Sequence, residues 1–303
     1  MLSKHQLKKI NGILLLDKPL DMTSNFALQK VKRLFQAKKA GHTGSLDPLA
    51  TGMLPICFGE ATKISQFLLE SNKYYQVEIK LGVKTSTGDA EGKITSERPV
   101  PAISEQQLET VLAEFLGTIE QIPPMYSALK INGKPLYSLA RKGLEIKREP
   151  RTIHIYGMDL GEVNGDKVTF NVHCSKGTYV RTLAEDIGER LGCGAHVSAL
   201  RRPCVSPYEN NPMFTFSDLE GLLEAQGPDS LLKCLLPMDS SVQHFPEVKL
   251  SSSATFYIKM GQPVMIPHLP IDGLVRIFSD HNHFIGIGEI LDDGRVAPKR
   301  LIQ

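Results

Sequence analysis

The chain has 303 residues, 41% of them hydrophobic and 22% charged, with a formal net charge of +2. That length suits one large domain or a main domain with a small one, and the composition is that of a globular protein. No run approaches the roughly 18 apolar residues of a membrane helix, the Ile13–Leu16 run is too short for a signal peptide, and five scattered cysteines without a CxxC pair argue against structural zinc and for a reducing cytoplasm.

The segment "NGILLLDKPLDMTS" reads as a short strand followed by a proline turn. Ser24 is the expected N-cap of a helix over about 25–39, with Leu28, Val31, Leu34 and Phe35 on one face and Lys30, Lys32 and Arg33 away from it. A loop, "GHTGSLDPLATG" (41–52), has neither a helical nor a strand period. The apolar strand "MLPICFG" follows, then a helix in "EATKISQFLLE" with Ile64, Phe67 and Leu68 inward and Lys63 in its first turn. "YYQVEIKLG" alternates: Tyr75, Val77, Ile79 and Leu81 point one way, Tyr74, Gln76, Glu78 and Lys80 the other.

A turn in "TSTGDAEGK" leads to a helix over about 104–116. "PPMYSALKINGKPLYSLARKGLEIKREPR" opens on two prolines and reads as an exposed basic arm with a short helix near 135–142. The strand "KVTFNVHC" runs into "SKGTYVRTLAEDIGERLG", a helix whose apolar stripe places Tyr179 and Arg181 at its first turn, and "AHVSALRR" is a further strand. Beyond about 210 the chain is loop-rich, with a helix near 217–225. From about 247 short strands predominate ("GQPVMI", "GLVRIFS", "HFIGIGEI", "RVAPKRL"), which predicts a small separate β-domain.

Charge is unevenly spread. Residues 1–40 hold nine Lys/Arg against two Asp, and residues 125–151 seven against two Glu, so the remainder is acidic. Two basic segments on such a chain mark a polyanion footprint or, equally, solvated helix faces. The chain has no Walker A sequence, no helix-opening GxGxxG, and no HExxH, GxSxG or DFG signature. Its histidines are scattered rather than clustered as metal ligands, so side-chain acid–base or nucleophilic chemistry is what remains. Asp47, the carboxylate of the Gly-rich loop, leads the candidates, although an Asp-Pro in a loop more often starts a turn. Taken singly, Arg181 reads as a surface charge, His42 as a turn residue and Tyr75 as core.

Together, "GHTGSLDPLATG", "KYY", "PPMYSALKINGKPLY" and "HCSKGTYVRTLAEDIG" resemble the bacterial tRNA pseudouridine synthases of the TruB type, and the resemblance runs from "NGILLLDKP" to "GRVAPKRL". Ser45 is a small departure, at a position where relatives carry other small residues. The resemblance implies an α+β fold. Its mixed, mainly antiparallel sheet is flanked by helices in a catalytic domain (1–246), and a β-barrel-like PUA domain (247–303) follows. It implies isomerisation of uridine 55 in the tRNA T-loop to pseudouridine, a redox-neutral reaction that requires no cofactor or metal. Asp47 would be the nucleophile, Arg181 its ion-pair partner, and Tyr75 the ring that stacks on the flipped base and serves in proton steps. Attack at C1′, addition at C6 and elimination to a glycal all remain open.

By the same resemblance Tyr179 and Leu200 line the base pocket, and His42 enters the T-loop. Lys18, Lys63 and Lys130 would meet phosphates, segment 125–151 would close on the T-arm as a thumb, and the PUA domain would hold the acceptor stem. No membrane or obligate protein partner is expected. A non-catalytic tRNA-folding chaperone using the same surface is the alternative; intact Asp47, Tyr75 and Arg181 favour the enzyme.

Overall fold

The computed structural model describes residues 7–131, 133–267 and 269–302. Its first part is built from β1 (Gly12–Lys18), α1 (Ser24–Leu34), β2 (Ala40–His42), β3 (Ala50–Phe58), α2 (Ser65–Glu70), β4 (Lys73–Leu81), β5 (Val83–Thr85), β6 (Ile94–Glu97), α3 (Glu105–Ala113) and β7 (Gly117–Gln121). There follow β8 (Lys130–Ile131), β9 (Lys134–Pro135), α4 (Leu136–Ala140), β10 (Arg151–Asn164), β11 (Lys167–Cys174), α5 (Val180–Arg190), β12 (Ala195–Val205) and α6 (Phe216–Gln226). The last part holds β13 (Glu247–Lys249), α7 (Ser252–Lys259), β14 (Val264–Met265), β15 (Leu274–Phe278), β16 (Phe284–Ile290) and β17 (Arg295–Leu301).

An eight-stranded sheet in the order β1-β3-β12-β4-β11-β10-β7, with β2 beside β3, organises the larger part. The β12–β3 pairing is parallel; the others in this sheet are antiparallel. Alternation explains the core: Val77, Ile79 and Leu81 of β4 and Val168, Phe170 and Val172 of β11 pack with Leu28 and Val31 of α1 and Leu183 and Ile187 of α5. The opposite face of β4 keeps Gln76 exposed. Residues 247–302 form a second, five-stranded sheet, curled into a half-barrel around Val248, Ile258, Val275, Ile277 and Val296. It meets the larger part through Ile64, Phe67, Val242 and Ile287.

Several elements depart from expectation. Thr23, not Ser24, caps α1, its hydroxyl accepting from Phe26 N at 3.2 Å. The buried Ser24 hydroxyl instead donates to Leu46 O at 2.9 Å and accepts from Leu46 N at 2.7 Å. The helix ends at Leu34, five residues early, because Gln36 turns left-handed (φ 51°) and Ala37 N bonds back to Lys32 O. The helix expected after Phe58 is split into a tight 3₁₀ turn, Gly59–Lys63, and the short α2. The last part also contains α7, capped by Ser251, and β13, neither of which the sequence pattern marked.

Candidate active site

Each end of segment 41–52 is fixed by backbone bonds, and a buried neighbour fixes its middle. Thr43 N donates to Pro55 O at 3.1 Å, Asp21 N to Pro48 O at 3.0 Å, and Ala50 N to Asp47 O at 3.0 Å. Ser24 holds Leu46 as described above. Where the segment enters β3, that strand can lie this close to β12 because Gly52 (φ +101°) has no side chain: a Cβ there would lie 2.3 Å from Arg202 O. The result is a rigid presentation of one carboxylate, Asp47, whose side chain stays 41% exposed.

Arg181, in the first turn of α5, meets it with Nε at 3.0 Å from Asp47 Oδ2. Both other guanidinium nitrogens are also engaged. Nη1 donates to Thr87 O at 2.9 Å, Nη2 donates to Tyr126 O at 2.7 Å, and Nη1 lies 3.6 Å from Asp89 Oδ2. Asp89 is buried and itself accepts from Thr87 Oγ1 and from Glu91 N. Arg181 is therefore a fixed cation shared by two carboxylates and two carbonyls, one of them at the base of the basic arm. Burial pushes the Asp47 pKa up; Arg181 opposes this, Asp89 adds to it, and Lys18 opposes it.

Tyr75 packs half-buried on the helical side of β4. Burial raises its phenol pKa, with the Arg202 guanidinium pulling the other way and Cys174 and Asp47 adding to the rise. Tyr179 caps α5, its backbone clamped by Gln121, which accepts from Tyr179 N at 2.7 Å and donates to Tyr179 O at 3.0 Å. Its hydroxyl also feels Arg181 and Asp47. Leu200 is buried between Ala50 of β3 and Val77 of β4. The fold thus gathers Asp47, Arg181, Tyr75 and Tyr179 into one electrostatic neighbourhood. A cavity of about 460 Å³ is lined by Leu200 together with Leu49, Thr51, Gln76 and Asn171, and by none of the four gathered residues.

The remaining candidates play other parts. His42 stands on β2; burial and Arg202 lower its pKa, and its Nδ1 is buried without a hydrogen-bond partner. Lys18 is fully buried and donates to Pro19 O at 2.8 Å, Met22 O at 2.6 Å and Pro48 O at 3.4 Å. Burial brings its pKa down to about 8. An ammonium spent on three carbonyls beneath the loop does not reach a phosphate, so that expectation is corrected: Lys18 supports the loop. Lys63 is bound by Glu60 at 2.6 Å and donates to Leu301 O at 3.2 Å, tying the 3₁₀ turn to the small sheet. Lys130 is exposed in β8. Among the described residues no group of three or more His, Cys, Asp and Glu is placed to hold a metal ion.

Asp89 and Arg202 were not singled out from the sequence. The "TGD" turn was the available signal for Asp89, since a carboxylate flanked by Gly88 (φ +74°) and bonded back to Thr87 is a built turn.

The mixed sheet, with the Asp47–Arg181 pair held beside it, has counterparts among solved structures. The chain superposes on a chain of the structure "Crystal Structure of a Cbf5-Nop10-Gar1 Complex" with a TM-score of 0.75 at 28% identity, covering 96% of this chain and 84% of that one. A second, in "Structure of H/ACA RNP bound to a substrate RNA containing 2'-deoxyuridine", gives 0.74 at 25% identity, with 96% and 85% covered.

Residues 32–180 match the TruB family pseudouridylate synthase N-terminal domain, 181–243 the tRNA pseudouridylate synthase B C-terminal domain, and 246–302 the pseudouridine synthase II TruB C-terminal region. The tRNA pseudouridine synthase B of Coxiella burnetii (strain RSA 493 / Nine Mile phase I) is 55% identical over 296 residues, 98% of this chain and 96% of that one. Those of Stutzerimonas stutzeri (strain A1501) and Yersinia pestis (strain Pestoides F) are 51% and 54% identical, covering 99% and 97% of this chain and 98% and 93% of theirs. The chain belongs to the TruB family of tRNA pseudouridine synthases, isomerases that convert uridine to pseudouridine in RNA.

Proposed function

We propose that this enzyme acts on uridine 55 in the T-loop of tRNA, with Asp47 as the nucleophile. The observation that carries the reading is the Asp47–Arg181 pair: a half-exposed carboxylate held at 3.0 Å by a guanidinium that is itself 7% exposed and cannot turn away. Such a pair keeps Asp47 ionised against its burial and aims it at the mouth of the site. The target base is stacked in folded tRNA and has to be flipped out to meet it. Tyr75 supplies the aromatic surface for the flipped uracil, Tyr179 and Leu200 close the pocket, and His42 fills space in the T-loop. Isomerisation breaks the N1–C1′ bond and forms C5–C1′; C5 gives up its proton and N1 takes one up, so nothing is consumed and no cofactor is called for.

Segment 125–151 and Lys130 meet backbone phosphates of the T-arm, and residues 247–303, as a PUA domain, hold the acceptor stem. No membrane or obligate protein partner enters this scheme. Five buried, unpaired cysteines fit a cytoplasmic enzyme.

The test is tritium release from a T-arm hairpin carrying [5-³H]uridine at position 55. Parent enzyme should release it, a hairpin with the label at another loop uridine should not, and Asp47→Asn should lose at least ~10⁴ in rate, about 5 kcal/mol, with hairpin affinity within twofold. Near-parent turnover by Asp47→Asn would remove the nucleophile assignment, and a bound but unmodified hairpin with parent enzyme would favour the chaperone reading.

A further inference from the structure

Arg202 heads the largest fully buried side chains of the protein, at 1% exposure. It lies on β12 where that strand pairs in parallel with β3, opposite Gly52. Its Nε donates to Met53 O at 2.8 Å and its Nη2 to Gly44 O at 2.9 Å. Those two carbonyls stand on either side of Asp47 in the chain, one before it in the loop and one after it in β3. Among the described residues Arg202 has no carboxylate partner. Its charge is felt by the Tyr75 hydroxyl of β4, the Cys174 thiol of β11, the His42 imidazole of β2, and the ammonium groups of Lys18 on β1 and Lys73 on β4. A buried, unpaired guanidinium beside three other basic groups is unfavourable on its own account. A leucine or methionine would fill the volume at less cost.

We propose that Arg202 is a positioning residue of the reaction: a buried fork that pins both sides of the Asp47 loop to the sheet. The assignment rests on the roles proposed above for Asp47 and Tyr75. Two carbonyls, one from β3 and one from the loop, need a planar donor with fixed angles; a lysine ammonium offers the charge without the fork. The arrangement also has an electrostatic consequence. Burial, Cys174 and Asp47 all push the Tyr75 phenol toward its neutral form, and Arg202 is the opposing cation.

The experiment uses the full chain as Arg202→Met and Arg202→Lys, with Asp47→Asn and Tyr75→Phe alongside. Three readouts are taken: the single-turnover rate on the T-arm hairpin at saturating enzyme, hairpin affinity, and the titration of Tyr75 followed by NMR of [ζ-¹³C]tyrosine, assigned with Tyr75→Phe. Arg202→Met should lose about 10² in rate, the scale of an ångström-sized misplacement, keep hairpin affinity within twofold, and move the Tyr75 midpoint to higher pH. Arg202→Lys should keep that midpoint near the parent's while remaining at least ~10-fold slow, because charge is retained and orientation lost.

A parent rate in either variant overturns the proposal. So does a fallen rate in Arg202→Met with an unmoved Tyr75 midpoint, which would make Arg202 a packing residue. Should Arg202→Met fail to fold, Arg202→Lys decides by its rate; failure of both to fold makes Arg202 a folding residue and overturns the proposal as well. Turnover lost in Asp47→Asn but parental in Arg202→Met removes the Arg202 assignment alone, whereas parental turnover in Asp47→Asn removes the reading of the site beneath it.

Discussion

Replacing Arg181 by methionine removes the cation that Asp47 and Asp89 share. Two unit charges about 4 Å apart in an effective dielectric of ~20 attract by about 4 kcal/mol. Asp47 is 41% exposed, so solvent screening reduces its share to roughly 1–1.5 kcal/mol, about a tenfold effect. The larger loss is orientation. Nε no longer holds Oδ2 at 3.0 Å, and a carboxylate free to rotate costs about 10² more. The expected total is a ~10³-fold lower single-turnover rate.

The pH profile carries the sign. With Asp47 as the proposed nucleophile, the reactive form is the carboxylate, so rate is lost as pH falls through its pKa. Burial and Asp89 raise that pKa, and Arg181 is the largest opposing influence. Without it, the acid limb moves to higher pH; Arg181→Lys should keep the limb nearer the parent's and still be slow. Tritium release from the hairpin between pH 5 and 8.5, at saturating enzyme, reads both quantities. An Arg181→Met enzyme with the parent's rate and acid limb would refute the pairing as the source of reactivity.

Other perturbations test the frame around the site. Gly52→Ala places a Cβ 2.3 Å from Arg202 O at a φ of +101°, and should cost at least ~2 kcal/mol, lowering the melting temperature by roughly 4 °C or more; an unchanged melting temperature would mean the β3–β12 contact is looser than drawn. Replacing Lys130 and Arg141 together by alanine should flatten the slope of log K against log[salt] by about 1.8 if both meet duplex phosphates; an unchanged slope would clear the arm of that role.

Where the sequence was legible, one period or one motif sufficed. The alternation of β4 put Tyr75 on the helical side, and the apolar stripe of α5 put Arg181 in its first turn. The harder residues are polar groups whose partners are remote in the chain. Ser24 has the chemistry of an N-cap, yet its hydroxyl serves Leu46, and Thr23 takes the cap. Lys18, in a basic segment, reads as a phosphate contact but spends its ammonium on three carbonyls. Asp89 and Arg202 belong to residue types that are usually solvated, and only the closed sheet reveals that both are buried. Helix α7 escaped because its eight residues bury only Thr255 and Ile258, too narrow a stripe to register.

The strand order has a consequence for how the enzyme is made. β12 is the last strand of the large sheet to be synthesised, yet it lies between β3 and β4. Until residue 205 has left the ribosome, those two strands have no neighbour to join them, and their apolar edges stand open in the nascent chain. The pieces around Asp47 and Tyr75 therefore exist early but stay apart. A chain halted before β12 should be an aggregation-prone fragment without activity, and catalytic competence should arrive late and in a single step, when the final strand slots into the gap.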